Sequence, residues 1–87
     1  RLTIKISGIA SMTDMVRVIQ LLESQAMIKS VRWLKVEEGY NLYHVEFEGT
    51  RKNLQDTLGY SKVLDAEGVV SHESDFIGYR LLPENNN

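Results

Sequence analysis

Ser11, Asp14 and the methionines around them, in the stretch SGIASMTDMV from Ser7 to Val16, are the first residues whose types and spacing could do chemistry. A loop that leads from a strand into a helix can hold a metal when it brings ligands, and Met12 and Met15 would offer soft thioether sulfurs there. Metal binding needs a ligand set with plausible geometry, and one hydroxyl, one carboxylate and two thioethers wanted for helix packing make a poor one. Capping is the simpler chemistry. Ser11 and Asp14, three residues apart, resemble a Ser-x-x-Glu capping box with a shorter acid, and Thr13 is the competing cap. A carboxylate in the first turn also suits the helix dipole. We expect a helix start here, not a metal site.

The two histidines come next. His44 stands near Glu46, and His72 sits close to Glu73 and Asp75. Zinc needs three or four ligands converging at roughly 2.0–2.2 Å, and an acidic loop with one histidine is ordinarily a solvated surface. Nucleophilic catalysis has no footing either: there is no cysteine and no Gly-x-Ser-x-Gly elbow, and nothing sets Ser61 or Ser71 against a histidine. The reading assigns no catalytic, cofactor-binding or metal residue, so we expect no enzyme and no cofactor.

Composition narrows the partners. Ten basic and twelve acidic residues are interspersed, giving a net charge of −2, so no broad positive field draws a phosphate backbone or an anionic lipid surface. No apolar run approaches the ~20 residues of a membrane span. Eighty-seven residues support one modest core without disulfides, at a size where about 60–65% of the unfolded surface is buried. Absence of cysteine fits the cytoplasm and the cell envelope alike. The first residue is Arg1 and no signal pattern precedes the first strand, which leads us to expect an excised domain or a processed product.

The positioning elements follow from periodicity. RLTIKIS alternates, with Leu2, Ile4 and Ile6 on one face, and Gly8 ends this strand. From Met12 to about Ala26 the period becomes helical, through Met12, Met15 or Val16, Ile19 and Leu22 or Glu23. IKSVRWLKVEEGYNLYHVEFEG reads as a hairpin turning at Glu38 and Gly39. In its second arm Tyr43, Val45 and Phe47 face the core, while Leu42, His44, Glu46 and Glu48 point away. The first arm changes parity between Val31/Trp33 and Leu34/Val36, and a bulge between Trp33 and Val36 would turn most of them inward. Thr50 with Asn53 opens a second helix that buries Leu54 and Leu58, with Gly59 its expected left-handed terminator. YSKVLDAEGVVS reads as a short extended piece turning at Glu67 and Gly68. DFIGYRLL is a last strand with Ile77, Tyr79 and Leu81 inward, closed by Pro83.

The order βαββαβ, with an extra ribbon before the final strand left open, is that of the ferredoxin-like α+β sandwich: two helices on one face of an antiparallel sheet. We expect one domain over residues 1–83 and a disordered polar tail over 84–87. Acylphosphatases of this fold use an arginine after the first strand, and SGIASMT has no basic residue. RNA readers stack bases on aromatic residues of the open face; here that face offers Thr3, Lys5, His44, Glu46, Glu48 and Arg80, with Phe76 the one clear aromatic. No nucleic-acid partner is expected. What remains is docking to a protein or neighbouring domain, with Arg32, Trp33, Phe76 and Arg80 the candidate contacts and core packing the other role open to Trp33. The alternative is a self-pairing regulatory domain that senses a small molecule near Gly8 to Asp14. A homodimer fits either reading.

The segments LTIKISGIASMTDMV, IKSVRW, the strand closing on Gly49, the helix ending in Leu58-Gly59 and the final GYRLLP together resemble a pattern in exported proteobacterial proteins classed as a domain of unknown function. The resemblance spans nearly the whole chain. It implies a periplasmic or cell-envelope location and a module within a longer precursor, and it carries over no site residue. Likeness to heavy-metal-associated domains is topological only, since their two cysteines are absent.

Overall fold

A computed structural model describes residues 2–66 and 76–83. Strand β1 (Leu2–Ser7) alternates buried and half-buried residues as its sequence requires. Gly8 then turns the chain at φ +84°, where a Cβ would lie 3.0 Å from the Leu81 carbonyl oxygen. Only glycine meets both conditions without strain.

Helix α1 (Met12–Glu23) starts where the capping residues put it. The Asp14 N–H donates to Ser11 Oγ at 3.2 Å. The Asp14 carboxylate reaches back and accepts from the Ala10 N–H at 3.0 Å, one residue before the cap itself. Thr13 is not the cap. The buried stripe is centred on Val18 and Leu22, with Ile19 and Leu21 packed beside it. It is rotated from the expected one: Met12 is 75% exposed, Val16 is exposed, and Ala26 lies beyond the helix. A period of 3.6 fixes which residues share a stripe but leaves the facing of its flanks to the tertiary contacts.

Strands β2 (Ile28–Glu37) and β3 (Tyr40–Phe47) form the expected hairpin. Glu38 and Gly39 both have positive φ, as a two-residue turn matched to strand twist demands. Pairing slips between Trp33 and Lys35, at the expected bulge, and again between Ile28 and Ser30. Helix α2 (Arg51–Gly59) is capped by Thr50, whose Oγ1 accepts from the Asn53 N–H at 3.0 Å. Gly59 is not a left-handed terminator. It is the last helical residue, and Tyr60 closes the helix in ordinary right-handed geometry, so no positive φ is called for.

The sheet order is β2-β3-β1-β5-β4, where β4 is Leu64–Ala66 and β5 is Phe76–Leu81. This corrects the expected four-stranded antiparallel sheet. The extended piece after α2 joins the sheet as edge strand β4, antiparallel to β5. That extra pass reverses the final strand, so β5 runs parallel to β1 and the sheet is mixed. The fold is α+β, with five strands and two helices among the described residues.

Register places Ile4 beside Tyr43 and Ile77, and Ile6 beside Tyr79, on one face. Val18 and Leu22 of α1 and Leu54 and Leu58 of α2 join those residues in a single buried cluster. Both helices therefore cover the same face. Neither is long and apolar enough to cross a membrane. The Glu67–Gly68 turn, Ser71, the His72, Glu73 and Asp75 group and the 84–87 tail lie outside the described residues.

Candidate functional site: the open face of the sheet

Strand pleat decides what the helix-free face presents, because alternate residues of each strand must point to it. Register lines them up in cross-strand rows. Arg32, His44, Thr3 and Phe76 form one row, and Lys35, Leu42, Lys5 and Gly78 the next. Asp65 beside Arg80 continues the face toward β4.

The side chains on this face have distinct environments. Lys5 Nζ lies 4.8 Å from the Tyr40 ring centroid and 5.6 Å from that of Phe76, so one ammonium is shared by two aromatic faces. Arg80 pairs with Asp65 at 3.3 Å and Lys35 with Glu37 at 3.7 Å. All four are well exposed, and such pairs contribute ~0–1 kcal/mol. Arg32 differs: among the described residues its side chain makes no hydrogen bond or ion pair. With Ser30, Val31, His44 and Glu46 it lines a shallow groove of about 420 Å³. Leu42 is only 4% exposed yet stands outside the main core cluster, in register between Lys5 and Lys35.

The expected contact residues divide accordingly. Arg32, Phe76 and Arg80 share the open face, and Phe76 is half exposed. Trp33 does not join them. It pairs with Tyr43 on the helix side of β2, is 41% exposed, and donates its indole N–H to Asn41 Oδ1 at 2.9 Å. The first-arm residues were expected to turn mostly inward, but Trp33, Leu34 and Val36 all remain exposed because β2 is the edge of the sheet. Tyr40 and Leu42 drew no functional attention in the sequence, although alternation along β3 already put them beside His44. Lys35 was hidden by the bulge, which shifts it onto the open face.

The other candidate chemistries meet ordinary structural roles. Ser61 Oγ accepts from the N–H groups of Val63 and Leu64, at 2.9 and 3.3 Å, and so shapes the turn into β4. Among the described residues no three metal-ligating side chains converge. Compared with protein-family models, with curated proteins and with solved structures, the chain matches none.

Proposed function

We propose that this domain is a ferredoxin-like variant that serves as a non-enzymatic protein-docking module, within a longer protein of the bacterial cell envelope. The observation that carries the docking reading is the sheet face that no helix covers among the described residues, where a cation shared by two aromatic rings stands on the same face as the unpaired Arg32 side chain and the inset Leu42. Aromatic and arginine anchors around an apolar centre are what dominate interface energies. The unpaired guanidinium favours a partner segment that presents a carboxylate, because a planar fork binds carboxylate through two parallel hydrogen bonds. The envelope location rests on the resemblance to exported domains.

The sensing alternative would place a ligand near Gly8 to Asp14. In that loop the Ser11 hydroxyl and the Asp14 carboxylate are already engaged by the Asp14 and Ala10 N–H groups and by Arg17 at 3.4 Å. On the open face the Arg32 guanidinium has no such partner among the described residues.

The test is site-specific photocrosslinking in the full-length native protein, with the crosslinker at Arg32, Phe76 or Arg80 and a control at the exposed Tyr60. Docking predicts one common adduct from the three face positions and none from Tyr60. The purified adduct protein should then bind in vitro and lose at least tenfold in affinity to the Arg32→Glu variant. Equal labelling from Tyr60, or binding indifferent to Arg32→Glu, would overturn the reading.

A further inference from the structure

Three polar side chains without a partner meet at one place. Ser30, Arg32 and His44 line the shallow groove of about 420 Å³ between β2 and β3. Among the described residues none of the three side chains makes a hydrogen bond or ion pair. Pleat and register bring them together: Ser30 and Arg32 are alternate residues of β2, Arg32 is level with His44, and Ser30 is level with Glu46. The other cations of the face are occupied, Lys5 by two aromatic rings, Lys35 by Glu37 and Arg80 by Asp65.

The donors define what fits. A guanidinium offers a planar fork of N–H groups, an imidazole at least one N–H and a hydroxyl one O–H. The fork takes either a carboxylate or a phosphate through two parallel hydrogen bonds, so geometry alone does not choose between them. Glu46 does. It lines the same groove, two residues from His44 on the same face of β3, which is ~7 Å along the strand. That is inside the ~8 Å over which exposed charges act in physiological salt. Its negative charge opposes a phosphate group, with nearly two charges, about twice as strongly as a carboxylate with one.

The backbone decides where the carboxylate comes from. A chain end is captured in a nest, a turn-like backbone on which successive N–H groups converge. The groove residues lie in two extended strands, and none of them has a positive φ. Nothing in the groove is built to hold a chain end, and its donors are side chains.

We propose that the groove receives one Asp or Glu side chain from within the partner's chain, and that Glu46 excludes a phosphorylated residue from the same place. The inference rests on the docking reading and names what the partner brings to it.

Amide NMR shifts of the protein, titrated with capped residues at about pH 7.5, test it without a partner. The probes are N-acetyl-aspartate methylamide for an internal side chain, N-acetylglycine for a chain end and N-acetyl-phosphoserine methylamide for a phosphorylated residue. The aspartate probe should give saturable shifts at Ser30, Arg32 and His44 and none at Tyr60. N-acetylglycine should bind no tighter, and the phosphoserine probe at least threefold more weakly. Arg32→Gln should weaken the aspartate probe at least fivefold, and Glu46→Gln should bring phosphoserine up to the affinity of aspartate, both with unchanged circular dichroism. Absence of saturable shifts, tighter binding of N-acetylglycine, phosphoserine bound as tightly as aspartate by the wild type, or binding indifferent to Arg32→Gln overturns the proposal. Such a failure is distinct from a failure to crosslink one partner at Phe76 and Arg80, which would overturn docking itself.

Discussion

The indole N–H of Trp33 donates to Asn41 Oδ1 at 2.9 Å, which ties an exposed edge strand to a nearly buried amide. Asn41 sits on the core side of β3 between Ile6 and Val36, where an unpaired amide would be costly. Trp33→Phe keeps most of the packing but orphans Asn41, and should cost ~1–3 kcal/mol in urea unfolding. Asn41→Ala should release the indole, seen as a red shift and greater quenching of the single tryptophan's fluorescence. Unchanged fluorescence would show that the bond does not hold Trp33.

Two glycines should respond in opposite directions. Gly8→Ala forces a Cβ into left-handed backbone, which costs ~1–2 kcal/mol before its contact with the Leu81 carbonyl is counted. Gly59→Ala meets open space in right-handed helix and should stabilise by ~0.5–1 kcal/mol. Thermal unfolding of the two variants compares them directly. A destabilised Gly59→Ala would reinstate it as a left-handed terminator.

The competing helix starts can be separated in the same way. Ser11→Ala should cost ~1 kcal/mol because it removes the acceptor for the Asp14 N–H. Thr13→Ala should stay within ~0.5 kcal/mol of wild type, as surface changes away from a cap do. Equal losses would mean that the cap is shared.

Tyr43 is fully buried, and its hydroxyl has no hydrogen-bond partner among the described residues. Tyr43→Phe removes that orphan at almost constant volume, so stability should hold or rise by about 1 kcal/mol. A clear loss would reveal a partner for the hydroxyl.

Burial pushes the phenol pKa of Tyr43 up to about 12, and burial together with the negative charge of Asp56 does the same for Tyr79. Above pH 10 the unfolded chain releases these protons while the folded chain keeps them, so stability is fully present below pH 10 and lost as pH rises toward about 12. Urea midpoints measured across that window should fall steeply, and the double variant Tyr43→Phe, Tyr79→Phe should flatten the slope. An unchanged slope would place the linkage elsewhere.

Much of the architecture was legible because its signals are local. Leu2/Ile4/Ile6 and Ile77/Tyr79/Leu81 alternate with the strand pleat, and Ser11 and Thr50 cap through residues only three positions away. Glu38-Gly39 matches the twist of the strands it joins. The bulge after Trp33 showed as a break in parity. The candidate site was half legible: alternation put Phe76 and Arg80 on the open face, but the face of Trp33 depended on how β2 pairs with β3.

Chain-local physics thus determined the elements, their caps and the apolar residues that must be hidden. Tertiary structure alone decided that Leu64–Ala66 pairs at the edge, which turns β5 parallel to β1. It also decided that α1 buries Val18 and Leu22 while leaving Met12 and Val16 exposed. Hydrogen bonds between strands and the facing of a helix are set by partners distant in sequence, and a periodic pattern specifies a face without specifying what it meets.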